Sequence, residues 1–270
     1  MAPNLRLKLV VFDWSGTVVD YGCQAPAAAL LEAFAKHRIM LTMAQVRGSM
    51  GIDRYEHVRS LLELPAVGDQ FQIVHGRRWN EADVLEIFHD LAPLQAHISQ
   101  QHSDLMPHLL ECVAELRRRG LKIGTTTSYP RETAQLVWDS AAVHGFEPDA
   151  NVAADDTPAA RPAPWMIFRV MQDLDVFPPA CVVKVGDTVP DIEEGKSAGC
   201  WSLGVTSTGS EVGLTPKQWA ALSETEQRAR LDGAARKLLD AGAHYVIPTL
   251  AELPTTIDHI EARMETGERP

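Results

Sequence analysis

The first two apolar stretches of the chain differ in kind. Leu9 to Phe12 ("LVVF") is a short unbroken run, and it ends at Asp13 just ahead of a Gly-Thr turn. Such a run predicts a central strand of a parallel sheet, buried on both faces. From Ala25 to His37 the apolar positions instead recur at helical spacing, with Pro26 suited to a first helical turn. Helical patterns return over 53–64, 70–78 and 81–98, with no convincing strand pattern between them. Around residue 104 the rhythm changes. "PHLLECVAELRRRG" predicts an amphipathic helix closed by Gly120, "LKIGTTTS" a strand, and "RETAQLVWDSAAVHG" a helix ending on glycine.

Strand and helix then alternate through "NVAAD", "PWMIFRVMQDLD", "ACVVKVGDT", "IEEGKSAG" and "WSLGVTS". This alternation predicts βαβ units, a parallel sheet and right-handed crossovers. In the tail, Ser223 and Glu226 form a capping box for a helix from Glu224 to Ala241, and Gly242 ends it. A short strand at "HYVIP" and a last helix follow. The fold class is therefore α/β, with a core formed by 1–21 and 103–270. The all-helical block 22–102 interrupts it after the first strand and reads as an inserted cap.

Composition narrows the partners. A net charge of −11 over 270 residues argues against nucleic acid and against an anionic membrane surface, both of which reward Lys/Arg clusters. The basic run Arg117 to Arg119 closes a helix next to its negative dipole end and does not form a nucleic-acid patch. Cys23, Cys112, Cys181 and Cys200 show no metal-ligand spacing and read as free thiols in a reducing compartment. No apolar run is long enough to span a bilayer, and "LRLKLVVF" meets Asp13 before a signal-peptide core could form. The expectation is a cytoplasmic enzyme.

Candidate chemistry gathers at strand ends. Open parallel sheets bind ligands beyond the carboxyl ends of their strands, at a topological switch point. Three predicted strands deliver Asp13, Thr127 with Ser128, and Gly186-Asp187-Thr188 to that edge; Asp191 follows at a helix start, and Arg161 lies in the Pro-rich "TPAARPAPW". Hard carboxylate oxygens favour Mg²⁺, and glycines with helix N-termini suit a phosphate-like anion. Taken alone, "GDTVPD" is as readily a strand-to-helix turn with an Asp cap. The joint appearance of these groups at strand ends favours function, most clearly for Asp13 and Asp187.

The residues also carry a resemblance. "FDWSGT", "TTTSY", "RPAPWM" and "KVGDTVPD" resemble the four motifs of the haloacid dehalogenase superfamily, and "VDYGCQAP", "MGIDRYEHVR" and "AGAHYVI" are similar to its phosphonoacetaldehyde hydrolase branch. The resemblance implies a Rossmann-like core, a helical cap after the first strand, a Mg²⁺ cofactor and a homodimer. It implies that Asp13 attacks phosphorus and forms an aspartyl-phosphate. The metal would be held by Asp13, the Ser15 carbonyl and Asp187, with Asp191 orienting its water shell. Thr127 and Arg161 would grip the phosphoryl oxygens, and Cys23, Met50, His57, Ser128 and Tyr129 would line the substrate site. Superfamily phosphatases place an acid at the Ser15 position to protonate the leaving group, a role worth roughly 10²–10⁴-fold. This chain resembles the phosphonatases in lacking it.

One departure matters. The family's cap motif runs approximately Met-Gly-x-x-Lys-x-x-His-Val-Arg, and its lysine forms a Schiff base with the substrate aldehyde. Here "MGIDRYEHVR" places Arg54 at that position, and a guanidinium that stays protonated is no practical Schiff-base amine. Lys36 on a solvated helix face and Lys184 inside a strand are poor replacements. Ser128, where the family has Gly, is a second difference. Three readings follow: hydrolysis of a related phosphonate, with Arg54 binding a carboxylate or stabilising an enolate; a phosphomonoesterase, with water or His57 as proton source; or a catalytically weak phosphonate-binding homologue. His57 reads as a packing residue, and His97 and His102 as surface.

Overall fold

The computed structural model describes residues 5–270. Six strands, β1 (Leu9–Phe12), β2 (Lys122–Thr127), β3 (Ala150–Ala153), β4 (Val182–Gly186), β5 (Trp201–Val205) and β6 (Tyr245–Ile247), form one sheet in the order β3-β2-β1-β4-β5-β6. Every neighbouring pair is parallel. This is the Rossmann-like α/β arrangement. β1, β4 and β5 are buried at every residue, as strands covered by helices on both faces must be.

Five helices follow β1: α1 (Gln24–Lys36), α2 (Met43–Arg47), α3 (Arg54–Glu63), α4 (Pro65–His75) and α5 (Glu81–Gln101). Seven more alternate with the remaining strands or close the chain: α6 (Leu109–Arg118), α7 (Arg131–Val143), α8 (Trp165–Asp173), α9 (Val189–Ala198), α10 (Pro216–Ala220), α11 (Glu224–Asp240) and α12 (Leu253–Glu265). The two-residue period of a strand splits β1 between two apolar layers. Val10 and Phe12 pack with α6, α7 and α12, whereas Leu9 and Val11 pack with α8. The insert helices build a separate cluster around Leu30, Phe34, Val58, Leu61, Phe71 and Ile87.

Three helices depart from the sequence pattern. The helix expected over 70–78 begins at Pro65, whose fixed φ suits the first turn, and stops before Gly76 at φ 70°. The five-residue α2 and α10 are too short to show a period, although Thr42 with Gln45 and Thr215 with Gln218 form capping boxes at their starts. The Ser223–Glu226 box opens α11 as expected. Among the described residues no helix is long and apolar enough to cross a membrane.

Candidate active site

The sheet order reverses between β1 and β4, and the candidate residues stand at that switch point. The Asp13 backbone N–H donates to the Val185 carbonyl, which fixes Asp13 beside the end of β4. Asp187 directly follows β4, and Asp191 lies in the first turn of α9. One carboxylate oxygen from each of Asp13, Asp187 and Asp191 falls within 4.8 Å of the other two. Gly16 lets the chain turn beneath them. Its φ of 90° suits glycine, and a Cβ there would run into the Asp187 carboxylate.

A buried ion network supports this cluster. Arg161 Nη1 lies 2.7 Å from Asp13 Oδ1 and 2.9 Å from Asp191 Oδ1, while its Nε lies 3.0 Å from Glu194 Oε2. Lys184 Nζ sits 3.0 Å from Asp191 and 3.2 Å from Glu194, and both cations donate to the Thr126 hydroxyl at 2.8 Å. Burial works against the Asp191 charge, yet Arg161 and Lys184 hold its carboxyl below the usual range. Burial raises Asp13, and Arg161 draws it back.

Asp187 differs from its neighbours. It accepts from the Thr17 hydroxyl at 3.2 Å and the Ser210 N–H at 2.7 Å, and it forms no ion pair among the described residues. Burial first, then the charges of Asp13 and Asp191, push its carboxyl well above the ordinary carboxylate range. Four carboxylates against two cations leave a formal excess of two negative charges. That is the charge of one divalent cation, and the exclusively oxygen donors suit Mg²⁺. The residues fit the ion.

Above this edge, core and insert enclose a narrow cavity. Its walls hold Asp13, Thr127, Ser128 and Tyr129 from the core and Cys23, Met50 and Arg54 from the insert; Ser15 and Arg161 also reach it. Only about 20 Å³ remains for the centres of water molecules, room for about one. Arg47 of α2 ties the insert down, donating to the Ser210 carbonyl at 3.1 Å and the Gly22 carbonyl at 2.9 Å. Gly51 is pressed against the core: its φ is 95°, and a Cβ there would stand 2.5 Å from the Thr188 hydroxyl. The linker into α1 turns sharply through left-handed Asp20, Gly22 and Cys23, which points Cys23 inward.

Ser15 has no acid's role available to it. Its hydroxyl donates to Asp20 Oδ2 at 2.9 Å and meets the Tyr129 hydroxyl at 3.0 Å. Asp20 also accepts the backbone N–H groups of Gln24 and Ala25, at 2.8 and 3.0 Å, and burial pushes its carboxyl up to about 6. His102 is not a plain surface residue: its Nδ1 stands 3.5 Å from Asp20, so the two linkers between core and insert meet at this pair. Arg54 is 4% exposed. Its guanidinium lies 5.1 Å from the centre of the Tyr129 ring, and with the Gln95 amide turned so that its oxygen faces the guanidinium, as the surrounding donors and acceptors require, that oxygen accepts from Nε and Nη2 at 3.1 Å each.

His57 lies outside the cavity wall. Its Nε2 sits 2.9 Å from the Val46 carbonyl, and burial followed by Arg54 lowers its pKa to about 4. The ring is neutral at physiological pH, donating to α2 from α3. Sequence reasoning missed Gln95, Glu194 and Ser210, each of which acts on a residue distant in the chain, and Asp20, which holds the nearby Ser15 hydroxyl.

Comparison with known proteins agrees with this geometry. The family model described as haloacid dehalogenase-like hydrolase matches residues 7–199. The chain is 40% identical to a phosphonoacetaldehyde hydrolase of Syntrophobacter fumaroxidans, over 98% of this chain and 95% of that one. It is 38% identical to the phosphonoacetaldehyde hydrolase of Bacillus cereus strain G9842, over 95% and 97% of the two chains. A crystal structure of a phosphonoacetaldehyde hydrolase-like protein from Oleispira antarctica superposes with a TM-score of 0.96 at 36% identity, covering 98% of this chain and 96% of that one. The chain belongs to the haloacid dehalogenase-like hydrolases and, within them, to the phosphonoacetaldehyde hydrolase family.

Proposed function

We propose that the protein is a Mg²⁺-dependent hydrolase that cleaves the P–C bond of a small phosphonate through an aspartyl-phosphate on Asp13, without a Schiff base. The observation that carries this reading is the single cavity in which the buried Asp13 carboxylate meets Arg161 at 2.7 Å and Arg54 occupies the place of the family's lysine. Ser15, engaged with Asp20 and Tyr129, offers no acid to a departing oxygen, which favours carbon as the leaving atom over an alkoxide.

An Asp13 oxygen attacks phosphorus, and a P–O bond forms as the P–C bond breaks. The bonding electrons stay on carbon and delocalise into an adjacent carbonyl as an enolate, which then takes a proton from water. A second water hydrolyses the aspartyl-phosphate, releases phosphate and restores Asp13. Arg161 and Thr127 hold phosphoryl oxygens. Asp13, the Ser15 carbonyl and Asp187 would hold the metal, with Asp191 orienting its waters; when bound, Mg²⁺ neutralises phosphoryl charge so that a carboxylate can approach an anion. Residues 22–102 act as a cap that opens for substrate and closes on it. The buried thiols Cys23, Cys112, Cys181 and Cys200 accord with a cytoplasmic enzyme, and a homodimer through the cap completes the reading.

The test is phosphate release from a panel of phosphonates and phosphomonoesters with Mg²⁺. Release from phosphonates alone is expected, with no borohydride-trapped adduct on any lysine. Release from esters alone would make the protein a phosphomonoesterase, and a mass increase on an identified lysine would refute the role given to Arg54.

The charge count makes a separate prediction. Asp187→Asn is expected to raise the melting temperature of metal-free protein at pH 8, because it removes the carboxylate that lacks a cation. The same variant should lose the stabilisation by Mg²⁺ that wild type shows, which amounts to RT ln(1 + [L]/Kd). A variant that keeps the full Mg²⁺-induced shift in a thermal scan would place the ion elsewhere.

A further inference from the structure

Arg54 presents an unsolved electrostatic problem in the free protein. It is 4% exposed, no carboxylate among the described residues pairs with it, and its Nη1 has no hydrogen-bond partner. Removing a guanidinium from water without a counterion costs several kcal/mol. The surroundings do not answer that cost. Tyr129 offers a ring face, Gln95 one amide oxygen, and His57 is a neutral neighbour. Gln95, itself 2% exposed, nevertheless grips Nε and Nη2 and so leaves Nη1 without a partner, on a side chain that lines the cavity. A buried charge that is oriented but unpaired is built for an anion that arrives with the ligand.

The phosphoryl group is already provided for by Arg161, Thr127 and the metal-binding carboxylates on the core side of the cavity, one pole of the site, while Arg54 on the insert side is the other. The same wall also carries the apolar side chains of Cys23, Pro26 and Met50, which offer an anion no partner. A ligand with a single anionic end would satisfy one pole and leave Arg54 bare. Resting on the P–C hydrolase reading above, we infer that the substrate carries a second anionic group, a carboxylate on the fragment that leaves, so that the substrate is a short phosphonate with a carbonyl beside the departing carbon and a terminal carboxylate. Arg54 is the carboxylate's partner, its planar donors matching two oxygens. Gln95 is a positioning residue that acts through Arg54. The carboxylate also explains the absence of a Schiff-base amine: an acid end is bound by charge, where an aldehyde would be captured covalently.

The experiment measures binding apart from turnover. Titration calorimetry with Mg²⁺-loaded protein compares two inert ligands of equal length, 3-phosphonopropionate and propylphosphonate. Wild type is expected to bind the carboxylate ligand at least tenfold more tightly. Arg54→Met should abolish that difference while keeping its affinity for propylphosphonate within about twofold. Gln95→Leu should shrink the difference without removing it, and Arg54→Lys should restore part of it. Retained propylphosphonate binding also reports that each variant is folded.

Equal binding of the two ligands by wild type would overturn the inference. So would a parallel loss of both ligands in Arg54→Met, which would assign Arg54 to the phosphoryl group. The P–C reading fails separately. Preference for the carboxylate ligand with phosphate released only from esters would leave this subsite standing and remove the carbon–phosphorus chemistry.

Discussion

Asp13→Asn is expected to lower phosphate release by about 10⁴-fold or more, the scale on which losing a covalent nucleophile is felt, and to leave the protein at least as stable as wild type. The two halves have one cause. Asp13 sits beside Asp187 and Asp191, and Arg161 is the one cation paired with it among the described residues. Neutralising it removes one of four carboxylates set against two cations, and Arg161 keeps Asp191 and Glu194 as partners. The amide fills the same space, so the fold loses no packing. An amide nitrogen cannot take up a phosphoryl group. Rapid-quench measurement should find no phosphorylated protein in the variant, whereas wild type should show acid-stable label on the peptide containing residue 13. Turnover by Asp13→Asn near the wild-type rate, in an assay replete with Mg²⁺, would remove Asp13 as the nucleophile.

The centre of the sheet could be read from the sequence because β1 and β4 are short and largely apolar on both faces. Leu9 to Phe12 and Val182 to Gly186 lie at the centre of the sheet, where both faces are covered and an unbroken apolar run is the only stable solution. The strand ends marked Asp13, Thr127 and Asp187, because a polar residue that ends such a run has only the ligand-binding edge to occupy. Local spacing was silent on how these groups are charged. Lys184 reads as one more strand position, yet its ammonium is fully buried between Asp191 and Glu194. Glu194 sits in a helix whose pattern is otherwise unremarkable. Gln95 lies on the helical stretch 81–98 with nothing to say that its amide faces Arg54. These are contacts between positions far apart in the chain, and periodicity reports only what a single element does with its own faces. Short capped segments were legible in principle: Thr42 and Gln45 carry the signal for α2.

The exchange of lysine for Arg54 also gains meaning from the charge count. A lysine amine that forms a Schiff base must be free to lose its proton, and burial helps it do so. A guanidinium is no such amine, and in the proposed reading its place in the cavity wall suits an anionic group of the substrate. On the function proposed above, this one side chain replaces covalent capture of a carbonyl with ionic recognition of an acid.

Arg161→Met should be the most destabilising change at the site. Arg161 contacts Asp13, Asp191 and Glu194 and donates to Thr126 through Nη2, all in the interior. Breaking a buried ionic network by deleting one partner costs about 3–5 kcal/mol. For a chain of this size that corresponds to roughly 6–20 °C in melting temperature. The deficit should depend on pH in a definite direction. In wild type, Arg161 and Lys184 hold the Asp191 carboxyl below its ordinary value, so this pairing contributes stability that is present above the ordinary carboxylate range and is lost as pH falls through the lowered value. Without Arg161 the same carboxyls shift upward and can relieve their repulsion by taking up protons. The gap between variant and wild type should therefore be widest near pH 8 and narrow as pH falls toward 5. Arg161→Lys should recover part of the stability, because charge returns, but little of the activity, because an ammonium cannot reach Asp13, Asp191, Glu194 and Thr126 at once. A melting-temperature gap that stays constant from pH 8 to pH 5 would mean that lost packing, not uncompensated charge, sets the cost, and the electrostatic account of the switch-point cluster would fall with it.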